Sequence, residues 1–151
     1  MRIGYYLSNL LPAWSIGRQT ECFADQAPMP LESHLFCDDL PLSAIRDRRA
    51  PRLPGRLEML GQQIGRVRVA SIGVLACSKD DLVHVLMHCK IHRITVEAIA
   101  ETLSIPPGAG REDIGHVLDA FRAARRADRS GGKAAPMGAP SVAPAAGGAP
   151  L

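Results

Sequence analysis

Short apolar runs alternate with stretches of helical hydrophobic spacing over the first 129 residues of the chain. Runs that are short and apolar almost throughout are typical of strands in a parallel sheet that is covered on both faces. The pattern therefore predicts an α/β fold, a single domain with a central, mainly parallel sheet of about four strands flanked by helices. The predicted strands are Ile3 to Leu7, Leu35 to Cys37, Val67 to Leu75 and Ile94 to Ile99.

Four segments between and after these strands have the spacing of helices. Ser78, with Asp81 three residues later, resembles a capping box at a helix start. Apolar residues recur every three or four positions near the end of the domain, which predicts a long C-terminal helix. The expected helices are residues 15–26, Leu53 to Ile64, the segment after Ser78, and about Arg111 to Arg129.

The end of the chain has a different composition. Residues 130–151 contain seven Ala, five Gly and four Pro, with Lys133 as the one charged residue. Such a segment buries too little apolar area to offset the entropy lost on ordering. We expect a folded domain at residues 1–129 and a disordered tail at 130–151.

Positive charge is concentrated in two segments, although the whole chain carries a formal net charge of only +3. Residues 40–68 hold seven arginines against two acidic residues, and residues 122–133 hold four arginines and a lysine against one. Concentrated basic segments are typical of proteins that contact phosphates, because each neutralised phosphate releases counterions. A solvated loop and a solvated helix end explain the same pattern without a ligand, so charge alone leaves both interpretations open.

Several stretches, taken in order and spacing, resemble one protein family. They are Met1 to Tyr6, Phe36 to Asp38, Arg49 to Leu53, Asp81 to Val83, Ile94 to Val96 and Ala120 to Arg126. Together they resemble the N-terminal catalytic domain of the serine recombinases, the resolvase/invertase family. The resemblance implies site-specific DNA strand exchange, in recombination and integration, through a serine that forms a 5′-phosphoserine linkage. It also implies arginines around the scissile phosphate, where charge develops in the transition state.

The catalytic pattern of that family is not matched here. Asn9 stands at the nucleophile position and has no nucleophilic oxygen. Ser8 is one residue out of register, and a shift of one residue on a strand turns the side chain to the other face. The positions of one family aspartate and three family arginines are held by Gly73, Leu7, Val74 and Cys77. We therefore expect DNA cleavage to be lost, with Ser8 and Asn9 as the residues to inspect.

The last predicted helix keeps a basic face. Its arginines recur at i, i+3, i+4 and i+7, and the resemblance implies a dimer interface and a DNA-contacting end on this helix. No recognition helix follows, so sequence-specific DNA binding by this chain alone is not expected. The expected partners are DNA, bound nonspecifically, and a second copy or another recombinase-family protein. The candidate DNA-binding residues are Arg122, Arg125, Arg126, Arg129, Arg49 and Arg52.

Other candidate chemistry is weaker. His84, His88 and His92 recur every four residues, and two histidines at this spacing can share a metal ion. They flank the apolar stripe of their helix, so a solvated flank explains them, and we predict no metal and no cofactor. Cys77 lies beside a helix start, where a thiolate is favoured. Asp38 and Asp39 end a strand at an edge where α/β sites often lie, although a solvated strand end explains them better.

The cysteines and the hydropathy suggest where the chain resides. No run of eighteen apolar residues exists, so no transmembrane helix and no membrane partner are expected. The cysteines show neither zinc-site spacing nor a disulfide framework, which predicts a reduced cytoplasmic compartment. They are Cys22, Cys37, Cys77 and Cys89.

Three functions from different classes remain open on these grounds. The first is a degenerate recombinase-like protein that still dimerises or binds DNA nonspecifically. The second is an active recombinase that uses Ser8 with arginines of the 46–56 loop. The third is a small α/β interaction module without a role in nucleic-acid binding.

Overall fold

A five-stranded sheet forms the centre of the fold in the computed structural model, which describes residues 2–26, 33–41 and 52–129. Its strands are β1 (Ile3–Ser8), β2 (Ser33–Asp38), β3 (Arg66–Val69), β4 (Thr95–Ala98) and β5 (Leu103–Ile105). Their spatial order is β2-β1-β3-β4-β5, with the first four parallel and β5 antiparallel to β4. The predicted α/β class with a mainly parallel sheet is confirmed.

The predicted helices are present in the described part of the chain. They are α1 (Ile16–Gln26), α2 (Pro54–Leu60), α3 (Lys79–Ile91) and the long α4 (Arg111–Arg129). At the start of α3, Ser78 Oγ accepts a hydrogen bond from Asp81 N at 3.1 Å, as expected of an N-cap. No helix among the described residues is long and apolar enough to cross a membrane. The predicted tail at 130–151 and the candidate Arg49 lie outside the described residues.

The third strand is shorter than its apolar pattern predicts. It ends at Val69 instead of Leu75, and Ile72–Val74 forms a 3₁₀ turn. The Glu101 carboxylate accepts hydrogen bonds from Ser71 Oγ at 2.7 Å and from Ile72 N at 2.8 Å. The apolar side chains of this segment are therefore buried in a turn and not in a strand. Glu101, which holds the turn, lies 29 residues after Ile72, so a local sequence pattern does not predict the contact. Burial raises the pKa of Glu101 although these hydrogen bonds oppose the shift.

The short strand β5 is absent from the sequence prediction. It follows β4 through a tight turn in which Thr102 adopts a positive φ of 53° and Thr102 N donates to Ile99 O at 3.1 Å. A β-branched residue is uncommon in this conformation. The turn contains neither Gly nor Asn, the residues from which a turn of this kind is predicted in a sequence. The sheet consequently has five strands instead of about four.

The two faces of the sheet differ at β3 and β4. Valine and alanine side chains on one face are buried against the helices, whereas the other face is polar and half-buried. There Glu97 pairs with Arg68 Nε at 2.7 Å and with Arg66 Nη1 at 3.2 Å. The expectation that helices cover both faces therefore fails at these two strands. The alternation in their sequences, Arg-Val-Arg-Val and Thr-Val-Glu-Ala, accounts for this.

The long helix α4 packs over the edge of the sheet where the parallel strands end. Its apolar face, which includes Phe121, is buried. Asp128 Oδ1 accepts a hydrogen bond from Ala13 N at 2.7 Å, which joins the helix to the turn after β1. A Cβ placed on Gly73 would lie 3.2 Å from Ala124 Cβ, so the 3₁₀ turn and α4 are in close contact. This edge is consequently closed by packed side chains.

Candidate functional site

The carboxyl ends of β1, β2 and β3 meet at one edge of the sheet, which is where sites of open α/β folds usually lie. Ser8 and Asn9 end β1, and Asp38 ends β2. The segment from Ser71 to Ser78 leads from β3 to α3. The side chains of this edge therefore decide whether it can hold a phosphate.

Ser8 is a buried structural residue in this arrangement. Its Oγ donates a hydrogen bond to Val74 O at 2.6 Å and accepts a longer one from Leu10 N at 3.4 Å. The Gln19 side chain binds the Ser8 backbone on both sides, with Nε2 donating to Ser8 O at 2.6 Å and Oε1 accepting from Ser8 N at 3.3 Å. The side chain has no exposed surface, and its hydroxyl joins β1 to the 3₁₀ turn.

Asn9 connects the ends of two strands. Its Nδ2 donates to Asp39 Oδ1 at 2.9 Å and to Leu40 O at 2.7 Å, and its Oδ1 accepts from Leu40 N at 2.9 Å. All these partners lie just beyond β2. Asn9 thus connects the end of β1 to the segment after β2 through its side-chain amide.

Asp38 is a buried carboxylate of this edge with several hydrogen-bond donors around it. It accepts hydrogen bonds from Tyr6 OH at 2.7 Å, Gly55 N at 2.7 Å and Arg56 N at 2.8 Å. Two of these donors are unpaired amides of the first turn of α2, so Asp38 caps that helix from a neighbouring strand. Burial, with a smaller contribution from Asp38, raises the pKa of Tyr6 well above its ordinary value.

The expectation of a solvated strand end is therefore wrong for Asp38, which is only 3% exposed. Asp39 beside it is exposed, as expected. Sequence reasoning missed the partner of Asp38 because α2 begins 16 residues later at Pro54, after a segment without a clear pattern. The Pro54-Gly55 pair is the available indication, since proline favours the first helical position. At Gly55 a Cβ would lie 2.5 Å from Cys37 O, so a glycine is needed for this approach.

Arg56 is the arginine of the 46–56 loop that the structure brings to the edge, and an acidic residue holds it. Its Nη1 and Nη2 both donate to the Asp81 carboxylate at 2.7 Å, and Nη1 also donates to Leu75 O at 2.9 Å. Burial opposes ionisation of Asp81, but the hydrogen bonds from Arg56 and from Cys77 N outweigh it and lower the pKa of Asp81. Arg52 is exposed, and residues 46, 48 and 49 lie outside the described residues.

Cys77 does not have the features of an activated thiol. Its Sγ donates to Asp81 Oδ2 at 3.3 Å. Burial, followed by the negative charge of Asp81, raises the pKa of the Cys77 thiol. The position beside a helix start therefore does not produce a thiolate, because burial and the adjacent carboxylate both oppose ionisation.

The arginines of α4 divide into one inward-facing and three exposed residues. Arg125 Nη1 donates to Cys77 O at 2.6 Å, and its guanidinium lies 5.4 Å from the centre of the Phe121 ring. The other three are exposed, and one of them forms an ion pair with Asp119 at 3.3 Å, itself largely solvated. The exposed members are Arg122, Arg126 and Arg129. Helix α4 thus has a basic exposed surface, while Arg125 forms a hydrogen bond to the segment before α3.

The three histidines of α3 do not converge on one point. The rings of His88 and His92 lie 4.2 Å apart, and His88 Nε2 lies 3.2 Å from Leu60 O. His84 is exposed on the same helix. Over the described ranges, no group of three or more His, Cys, Asp or Glu side chains is placed to hold a metal ion.

Comparison with known proteins reveals similarity in structure alone. No protein-family model and no curated protein sequence matches the chain. The fold is similar to the crystal structure of the N-terminal catalytic domain of TP901-1 integrase, with a TM-score of 0.54 and 14% sequence identity, over 86% of this chain and 98% of that one. The chain has the fold of an integrase catalytic domain. The resemblance to serine recombinases is thereby confirmed at the level of this recombinase-like fold.

Replacing Ser8 by alanine is expected to destabilise the recombinase-like domain by about 1–3 kcal/mol, because Val74 O would remain buried without a donor. Urea unfolding followed by circular dichroism measures the change. The matched control is Ser104→Ala, at an exposed position of β5, for which a change within about 0.5 kcal/mol is expected. Equal losses in the two variants would contradict a structural role for the Ser8 hydroxyl.

Proposed function

We propose that this chain is a recombinase-like protein that does not cleave DNA and acts by binding DNA nonspecifically and by pairing with a second copy. The geometry of Ser8 carries the first part, since its hydroxyl is buried and donates to Val74 O. Strand cleavage requires an oxygen nucleophile in reach of the phosphorus and cations around the phosphate. Asn9 at the family's nucleophile position is fully engaged with residues 39 and 40, which supports the same proposal.

DNA binding is supported by the surface of α4. Arg122, Arg126 and Arg129 follow one another at i, i+4 and i+7, so their side chains emerge from one side of the helix. The opposite side, with Phe121, is buried against the domain. Guanidinium groups arranged in this way suit a row of phosphates, and phosphate contacts of this kind carry no sequence preference. Arg52, also exposed, and Arg49 extend the proposed contact set.

Self-association is supported by an apolar cleft between α3 and α4, with a volume of about 570 Å³. Met87 lies on its α3 side and is 54% exposed, while Ile114 and Leu118 line it from α4. Nothing lies within 4 Å of a Cβ placed on Gly115, so another helix has room for close approach there. We propose α4 of a second copy as the occupant, because a helix that both lines and fills a cleft forms a self-complementary twofold interface.

The cytoplasm is the proposed location, since DNA is the proposed partner. The cysteines support it, because all four are free thiols. Free, partly buried thiols persist in a reducing compartment.

The proposed function is tested with purified protein and a labelled DNA duplex. We expect no covalent phosphoserine adduct on a nicked substrate under denaturing electrophoresis. Binding should weaken with salt at a log-log slope of about −4 to −5, from about five phosphate contacts at roughly 0.9 each. An adduct that disappears in the Ser8→Ala variant would establish the active recombinase instead. A slope near zero would contradict DNA binding and favour the interaction module.

Replacing Met87 by glutamate is expected to dissociate the pair, because the introduced charge would lose its hydration when the second copy covers the apolar cleft. Sedimentation velocity over a range of concentrations measures the loss as at least a tenfold weaker association. The control is Leu57→Glu on α2, where the side chain is 74% exposed and lies outside the cleft. A wild-type chain that stays monomeric, or equal effects of both substitutions, would contradict the proposed interface.

A further inference from the structure

A second basic site lies at the opposite edge of the sheet, where the parallel strands begin. It is a shallow pocket of about 370 Å³, here called the amino-end pocket. Its lining residues are Arg2, Gln62, Gln63, Ile64, Gly65, His92, Arg93 and Ile94. No acidic residue belongs to this lining, so every polar side chain around the pocket can donate a hydrogen bond.

The backbone brings the two arginines of the pocket together. Gly65 N donates to Arg2 O at 3.1 Å, and Thr95 N donates to Gly65 O at 3.0 Å. These bonds align the segments that lead into β1, β3 and β4. Arg2 directly precedes β1, and Arg93 stands two residues before β4. The parallel arrangement of the strands therefore places residues from distant parts of the chain around one opening.

The positive charge of the amino-end pocket is not neutralised within the described chain. Ion pairs elsewhere in the described residues join Arg56 to Asp81, Arg66 and Arg68 to Glu97, and Arg122 to Asp119. Neither Arg2 nor Arg93 takes part in them, and both side chains are exposed. The pocket thus presents two guanidinium groups with unused donors.

Arg93 occupies a position where glycine is the usual residue. Ile94 N donates to Cys89 O at 2.8 Å and Arg93 N to Lys90 O at 3.4 Å, which is the hydrogen-bond pattern of a Schellman end to α3. Arg93 has a positive φ of 57° there, which strains the backbone of any residue with a side chain. The positive charge of an arginine is favourable beside the carbonyl end of the helix dipole, but a side chain without the backbone strain could supply that charge from the last turn, so the choice of arginine here points to a further role.

We propose that the amino-end pocket binds phosphate groups, with the guanidinium groups of Arg2 and Arg93 as the main ligands and the Gln62 and Gln63 amides as further donors. Arginine forms paired, charge-assisted hydrogen bonds to phosphate oxygens, and a lining without carboxylates suits an oxyanion. The volume admits more than one phosphate group. The same chemistry fits the diphosphate of a nucleotide and consecutive phosphates of a nucleic-acid backbone. The site lies away from the arginines of α4, which flank the opposite edge.

Calorimetric titration with inorganic pyrophosphate, ADP and a short DNA duplex tests the proposal on the full chain. The informative variant is Arg93→Gly, which removes the ligand and relieves the backbone strain. We expect its melting temperature to equal or exceed that of the wild type, while affinity for the bound probe falls at least tenfold. Arg2→Gln should weaken binding of the same probe, and Lys79→Gln, at an exposed position outside the pocket, should leave it unchanged.

The probes separate the two sources of phosphate. Saturable binding of pyrophosphate or ADP that is lost in Arg93→Gly identifies a free phosphate ligand. A weaker affinity for the duplex alone, with no saturable binding of the small anions, identifies a nucleic-acid backbone. The proposal is overturned if no probe binds, or if Arg2→Gln and Arg93→Gly both retain wild-type affinities. Duplex binding that is retained in both variants, without binding of the small anions, would overturn the pocket alone and leave the proposed DNA-binding function intact, because the α4 arginines are unchanged in them.

Discussion

Replacing Asp38 by alanine is expected to lower the free energy of unfolding by about 3–5 kcal/mol, the largest effect that we predict for a single substitution. The carboxylate accepts hydrogen bonds from Tyr6 OH, Gly55 N and Arg56 N, all at 2.7–2.8 Å. In the variant, these three donors would remain in a mostly buried environment without an acceptor. The first turn of α2 would also lose the negative charge that opposes its dipole.

Urea unfolding measures this loss, and two further variants define its origin. Asp39→Ala removes a neighbouring, exposed carboxylate that accepts one hydrogen bond from Asn9, so a loss below about 1 kcal/mol is expected. Asp38→Asn retains an acceptor oxygen and should fall between the two, which keeps the test informative if Asp38→Ala does not fold. A loss in Asp38→Ala no larger than that in Asp39→Ala would contradict the capping role.

Removing the three exposed arginines of α4 is expected to have the largest effect on DNA binding. The substitution Arg122→Gln, Arg126→Gln and Arg129→Gln removes three charges and preserves side-chain length. The magnitude of the log-log salt slope should fall by about 3, because each phosphate contact that is lost reduces the number of counterions released on binding. Affinity at 0.1 M salt should fall by about 100-fold. Fluorescence anisotropy with a labelled duplex at several salt concentrations measures both quantities.

A second triple variant controls for net charge. Lys79, Lys90 and Arg111 are exposed away from the arginine row, and their replacement by glutamine changes the total charge by the same amount. Lys90 and Arg111 line the cleft between α3 and α4, so sedimentation velocity must show that this variant pairs as the wild type does. We expect the salt slope of this control to change by less than about 1. Equal effects of the two triple variants would mean that general attraction, and not the arginine row of α4, holds the DNA.

The elements that sequence reasoning recovered depend on neighbours along the chain. Helix α4 has the bounds that its periodic apolar residues predict, and Ser78 caps α3 as its spacing to Asp81 indicates. Strand β1 begins at Ile3 as predicted and extends by one residue to Ser8. Hydrophobic period and capping chemistry are local properties, so a single sequence is enough to recognise them.

The features that were missed depend on partners that are distant in sequence. The apolar run after Val69 predicts a strand, but it forms a 3₁₀ turn in which the Glu101 carboxylate accepts a hydrogen bond from Ile72 N. The sequence predicts a solvated strand end at Asp38, whereas in the structure the first turn of α2 lies against its carboxylate. Strand β5 consists of three residues and pairs with β4 through a turn without a glycine, so no local pattern distinguishes it.

The sequence by itself determined the α/β class and the basic helix at the end of the domain. Only the tertiary structure decided the roles of Ser8 and Asn9, because a side chain's partner depends on which segment folds against it. The hydroxyl of Ser8 meets a carbonyl 66 residues away, at Val74. The proximity of Arg93 to Arg2 likewise arises from the parallel alignment of strands that lie far apart in the chain.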